Sequence, residues 1–279
     1  MTRVPVQGVI AVVIVTLAIA LHGHAMAWTA DSNGFRVAWT ANDITAQRPD
    51  GSVAFSAAEF ARSGFNEAKD GMAQGVTWSL TMRRHFRVVS LVGPLLGLRD
   101  RLELQVSPSA HPEGEERFWT FDLRRHAPLN GNTGTLPASE RDFVDLRDLF
   151  PVDDLFRGLK GDAFVRRAIN APAVTSLTAV LSLLQDRSGS VPNVCASVGP
   201  DVLTRFVLTG INAQRVSVRI NVSSPDVCAG HRTDLAINLP YRGPITQTVR
   251  FSKDALRVPP AEVPDFVLSL HSSSNGGGK

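Results

Sequence analysis

Residues 85–128 read HFRVVSLVGPLLGLRDRLELQVSPSAHPEGEERFWTFDLRRHAP, and residues 140–150 read ERDFVDLRDLF. Phe86 to Val92 is a dense apolar run, the pattern of a buried strand. Gly93-Pro94 breaks it. Leu102, Leu104 and Val106 then alternate with polar residues, as a half-buried strand does. Pro108 to Gly114 reads as a loop around Ala110-His111-Pro112. Arg117 to Leu123 (RFWTFDL) reads as a third strand with aromatics on both faces. Consecutive strands joined by short loops predict an antiparallel sheet. Pro128 to Pro137, polar and rich in Gly and Asn, reads as a mobile loop, and Pro151 suits the first turn of a helix.

Toward the N-terminus, Gly34 to Thr40 alternates at period two, and Arg48-Pro49-Asp50-Gly51-Ser52 is a turn. Ser56 and Glu59 form a capping-box pattern that predicts a short helix near 57–63, followed by a loop over 66–75. Trp78, Leu80 and Met82 share one face of a further strand. Toward the C-terminus, apolar residues at 152, 155, 156 and 159 predict one helix, and those at 164, 165, 168 and 169 a second. A third runs from Pro172 to about Arg187, with Val174, Leu177, Leu181 and Leu184 on one stripe. Asp201 to Leu208 and Gln214 to Val222 read as a hairpin, and Leu235 to Leu239 as a strand. Thr246 to Phe251 is one more strand or the start of a terminal cover. Pro259, Pro260 and Pro264 predict an extended segment, and residues 271–279 a disordered tail. The expected fold class is α+β, an antiparallel sheet with helices packed on one face, in a single domain over 28–270.

Arg3 precedes an uncharged apolar run, Gly8 to Leu21, and Ala25-Met26-Ala27 follows it. This is the order of a secretory signal peptide over residues 1–27. Fourteen helical residues reach only about 21 Å, short of a hydrocarbon core of roughly 30 Å. A cleaved signal is therefore favoured over a retained anchor, with no membrane span left after cleavage and a periplasmic or secreted destination. The mature chain would begin at Trp28.

At 43% hydrophobic and 20% charged, the chain has globular composition, which excludes disorder and a multi-span membrane protein. Its basic residues are nearly all Arg. A net charge of +3 does not call for nucleic acid, which would need basic and aromatic residues clustered on one element. Cys195 and Cys228 are the two cysteines. In an exported chain they predict a disulfide; the competing reading is two free thiols in a core.

The middle of the chain resembles the RsiV-like exported domain, a domain of unknown function. That family occurs in the extracytoplasmic part of some anti-sigma factors and beside some peptidoglycan deacetylases. The resemblance rests on Ser90, Ala110-His111-Pro112, Phe121-Asp122-Leu123 and Val144 to Phe150. Phe206 to Gly210 and Ile237-Asn238-Leu239-Pro240-Tyr241 continue it, so that it covers about Thr77 to Tyr241. Ser107-Pro108-Ser109 stands where the family has Gly before Ala-His-Pro, and the cysteine pair lies outside its pattern. The resemblance implies binding of a lysozyme-like protein.

No nucleophile-elbow, zincin, P-loop or dinucleotide-binding motif occurs in the chain, no catalytic residue is assigned, and no metal or cofactor is implied. His111 with Glu113 or Glu115 could ligate a metal. Pro112 and Gly114 deny these residues a regular geometry, so a solvated acidic loop is favoured. His231 and Asp234 suggest a loop hydrogen bond. Asp153 and Asp154 point about 100° apart on a helix and suit its N-terminus. Arg83-Arg84, Arg124-Arg125 and Arg166-Arg167 could bind an anionic cell-wall polymer, but the first two pairs are expected as solvated strand positions, adjacent residues facing opposite sides. His111, Glu113, Glu115 and Glu116 remain as a partner-binding loop. The expected function is a non-enzymatic binding domain for a cell-wall component or lysozyme-like protein; the alternative is a cell-wall hydrolase or deacetylase.

Closing the 33-residue separation between the cysteines would stabilise the fold by roughly 3–4 kcal/mol through lost chain entropy. Cys195→Ser is expected to lower the thermal unfolding midpoint of the oxidised protein; an unchanged midpoint would contradict the bridge.

Overall fold

A computed structural model of the chain describes residues 28–40, 42–72, 77–108, 113–124, 143–168, 174–187, 201–212, 214–222, 234–241 and 265–272. The fold is α+β. Among the described residues the strands form three antiparallel sheets rather than a single one.

The first sheet holds β1 (Trp28–Ser32), β2 (Phe35–Trp39), β3 (Ile44–Gln47) and β4 (Val53–Ser56) in sequence order. β4 runs directly into helix α1 (Ala57–Asp70). Ser56 caps that helix, its Oγ accepting from the Glu59 N–H at 3.2 Å. Asp43 supplies a second cap from a distant turn: its carboxylate accepts from the Ala58 N–H at 2.9 Å and from Ser56 Oγ at 2.8 Å. The helix continues to Asp70, through residues expected as loop. Asn66, Glu67 and Lys69 are polar because they lie on the outer face, while Phe60, Ala61 and Phe65 keep the inner stripe buried.

The second sheet has the order β11-β5-β6-β7, from β5 (Trp78–Val92), β6 (Leu95–Ser107), β7 (Glu113–Asp122) and β11 (Asp265–Ser272). The long hairpin β5–β6 is buried in two regimes. From Met82 to Val88 every second residue is buried, because only one face is covered; from Ser90 to Leu98 every residue is buried, because both faces are. A register shift between Val88 and Ser90 marks the change. β11 pairs with β5 in the register Phe266↔Arg84, Leu268↔Met82 and Leu270↔Leu80. Its last two residues, His271 and Ser272, were expected in the disordered tail and are strand instead. The alternation Phe266, Leu268, Leu270 is consistent with that strand and follows prolines that predicted an extended segment.

The third sheet, β10-β9-β8, comprises β8 (Phe206–Ile211), β9 (Arg215–Ile220) and β10 (Leu235–Pro240). β9 alternates as its sequence requires, with Val216, Val218 and Ile220 buried. The start of the expected strand over 201–208 is a 3-10 turn at Val202–Thr204. Helices α2 (Leu146–Leu149), α3 (Val152–Gly161), α4 (Ala163–Ala168) and α5 (Leu177–Arg187) share a core with this sheet. Asp162 ties helix to sheet: it accepts from the Phe164 and Val165 N–H groups at the start of α4 and from the Ala236 N–H of β10 at 3.0 Å.

Two cores result. One joins the first sheet, α1 and the second sheet; the other joins α2–α5 and the third sheet. They meet where β8 crosses the inner half of the hairpin. Thr120 Oγ1 donates to the Phe206 carbonyl at 2.6 Å. Gly97 allows this approach, since a Cβ there would stand 2.4 Å from Ser90 Oγ and 3.3 Å from Val207 Cγ1. Residues 1–27, the stretches 128–137 and 246–251, Pro259, Pro260, Pro264 and the tail beyond Ser272 lie outside the described residues. Among the described residues no helix is long and apolar enough to cross a membrane.

Gly97→Ala should destabilise the protein by about 1–3 kcal/mol in urea denaturation, the usual range for overpacking. Adding Ser90→Ala, which removes the nearest clashing atom, should restore part of the loss. A neutral Gly97→Ala would contradict the close crossing.

Candidate functional site

α1 covers only part of the second sheet. On the same face, Leu102, Leu104 and Val106 of β6 remain half-buried, while Met82 beside them is buried. A cleft of about 850 Å³ opens there. Its floor is the sheet, one wall is α1, and the other is Phe143, Arg147 of α2 and the turn Asp201–Arg205. This volume lies in the range of sites for small organic ligands, roughly 300–1,000 Å³.

The floor holds an ion pair. Arg84 is 5% exposed and Asp100 1% exposed. Arg84 Nη2 meets Asp100 Oδ2 at 2.5 Å, and Nε meets Oδ1 at 3.2 Å. Trp119 Nε1 donates to the same Oδ2 at 3.0 Å. The remaining amino group of Arg84 donates to the Phe60 carbonyl of α1 at 3.3 Å, and the guanidinium lies over the Phe60 ring, 4.4 Å from its centre. Gly64 makes room for it: a Cβ there would stand 2.7 Å from Arg84 Nη1. Buried charges are tolerated only when paired and hydrogen-bonded, and here each partner has several contacts.

Arg117 stands next along the floor, and its guanidinium lies 5.6 Å from the Trp119 ring centre. It pairs with Glu115. Its Nε is buried and has no hydrogen-bond partner among the described residues. Burial pulls the Arg117 pKa down, but the Glu115 carboxylate, with Asp100 and Asp201 further off, more than compensates, so the net shift is upward and the group stays cationic. Glu115 also accepts from Arg205 Nη1 at 3.3 Å, and Arg205 is held by Asp201 at 2.7 Å. At the mouth, Arg147 is bound by Asp145 through two nitrogens, at 2.9 and 2.6 Å. That hydrogen bond also holds the Arg147 pKa above its usual value. Trp119 and Phe143 stack with ring centres 4.2 Å apart.

The residues expected to form a partner-binding loop are placed differently. Glu113 to Glu116 belong to β7, not to a loop, because their register with Leu104 to Arg101 extends the ladder. Glu116 accepts from Arg99 at 2.6 Å, so both Glu115 and Glu116 are already paired. His111, His231, Cys195 and Cys228 lie outside the described residues. Asp234 binds Arg219 at 2.8 Å. Asp154 is buried in the first turn of α3 and pairs with Arg157. Arg83 is exposed as expected, whereas Arg84, expected in solvent, is buried. Among the described residues, no group of three or more His, Cys, Asp or Glu is arranged to hold a metal ion.

The Arg84–Asp100 site left a trace in the sequence that composition and motif reading pass over. Asp100 interrupts the apolar face Leu98, Leu102, Leu104, and Arg84 interrupts Leu80, Met82, Phe86. Opposite charges on the inward faces of neighbouring strands signal a buried pair. Of the residues carrying the family resemblance, Ser90, Phe121, Leu146, Phe206 and Leu239 are buried structural positions, while Asp145 and Arg147 stand at the cleft mouth. Comparison with protein-family models, with curated proteins and with solved structures finds no match.

Arg84→Met and Asp100→Leu should each lower stability by about 3–5 kcal/mol, since each strands a buried charge. The double variant should lose clearly less than their sum in urea denaturation; additive losses would contradict the coupling.

Proposed function

We propose that this chain is an exported, non-enzymatic binding protein that holds a component of the cell envelope in the cleft between α1 and β6–β7. Export rests on the N-terminal apolar run and the small residues after it. Binding rests on one observation: a concave cleft of ligand size, lined by apolar and charged side chains in similar measure, lies above a fully paired buried ion pair. A floor locked in this way is pre-organised, which reduces the entropy lost when a ligand binds. The kinship with the RsiV-like domain belongs to the same proposal. It draws on the order of buried residues from Ser90 to Leu239, which would make it a likeness of scaffold.

Between the two expected partners, the geometry favours a small envelope component over a lysozyme-like protein. A cationic protein would be drawn by an unpaired acidic surface. Glu115 and Glu116 are engaged by Arg117, Arg205 and Arg99.

The test is native mass spectrometry of the exported protein, mixed in turn with soluble peptidoglycan fragments, an envelope lipid extract and lysozyme. A stoichiometric complex with one of the first two, lost in Leu104→Glu, is the expected result. A folded protein that binds none of the three, or whose complex survives Leu104→Glu, would refute the reading.

A further inference from the structure

We propose that β11 pairs edge to edge with β11 of a second copy of this chain, antiparallel and about a two-fold axis at Leu268. β11 closes one side of the second sheet, and among the described residues no strand pairs with its outer side. Alternate residues of such a strand turn their N–H and C=O groups away from the sheet, where they can receive another strand. Edges of this kind are ordinarily blunted by shortness, a bulge, proline or lysine. β11 has none of these. It runs eight residues in unbroken register with β5, and its sequence, DFVLSLHS, holds no Pro, Lys or Arg. The opposite edge, β7, carries Glu113, Glu115, Glu116 and Arg117. Val267, 52% exposed, and Leu270, 37% exposed, are two of the four large apolar side chains left in solvent among the described residues.

The occupant follows from the strand's own sequence, which complements itself when reversed. Phe266, Leu268 and Leu270 share the inner face with Arg84, Met82 and Leu80 of β5, while Asp265, Val267, Ser269 and His271 share the outer face. With Leu268 on the axis, Phe266 stands opposite Leu270 of the second copy, Val267 opposite Ser269, and Asp265 opposite His271. Apolar side chains meet on the inner face, and a carboxylate meets an imidazole at both ends of the outer one. A slip of one residue sets inner-face residues against outer-face ones. Moving the axis to Val267 or Ser269 keeps the faces but separates Asp265 from His271. Asp265 already lies 2.9 Å from His85 Nδ1, yet its side chain stays 53% exposed and has room for a second imidazole. His271 is exposed and has no side-chain partner among the described residues. The two four-stranded sheets become one continuous sheet, and no β11 edge remains for a third copy.

The experiment is sedimentation equilibrium of the protein over a wide range of concentration. The wild type should show a monomer–dimer equilibrium. Val267→Lys, on the outer face and clear of the core, puts a charge on the edge beside the axis and should raise the dissociation constant at least about tenfold. His271→Asp sets carboxylates against each other at both ends and should weaken the dimer by about tenfold as well, since symmetry repeats each lost pair. Adding Asp265→Lys to His271→Asp restores opposite charges and should recover most of that loss. Circular dichroism checks that each variant is folded, and the wild-type series stands by itself if one is not. A monomer at every concentration would overturn the proposal, as would a dimer that folded Val267→Lys leaves intact. A dimer weakened by Val267→Lys but indifferent to His271→Asp would overturn it too, because the axis would then lie elsewhere.

Discussion

A guanidinium and a carboxylate closed off from water beneath α1 set the terms for the surrounding structure. Arg84 and Asp100 sit on adjacent strands, and neither could be buried alone. Their pairing is completed by Trp119 Nε1 on the third strand and by the Phe60 carbonyl of the helix. Four elements are thereby held in one register. Gly64 is required at the crossing because the guanidinium occupies the space of a side chain. The same arrangement leaves the β6–β7 side of the sheet uncovered, and that uncovered side is the cleft.

The second constraint is the close crossing of β8 over the inner hairpin. It divides β5 and β6 into a half that is buried on one face and a half that is buried on two. The first half can present side chains to a ligand; the second joins the two cores.

Much of the architecture was legible. Alternation identified β2, β9 and the outer β6, the dense run at Phe86 to Val92 announced a buried strand, and Ser56 with Glu59 marked the start of α1. What was missed depended on distant partners. β11 is a strand because β5 offers it an edge; the short alternation at Phe266, Leu268 and Leu270 does not declare it alone. α1 outlasts its expected end because a polar outer face looks like loop when the covering sheet is unknown. Glu113 to Glu116 looked like a free acidic loop because their arginine partners include Arg99 and Arg205, far away in sequence. The cleft itself was illegible for the same reason: it is the space left between α1, a sheet and a turn that begins at Asp201. Only the charges inside two apolar strand faces pointed to it.

The central claim is that this uncovered face receives the ligand. Hydrogen–deuterium exchange of the protein, with and without an envelope lipid extract, tests it directly. The account predicts added protection confined to α1, to residues 100–106 of β6 and to residues 115–119 of β7. Protection confined to α3 and β10, or none anywhere, would contradict it.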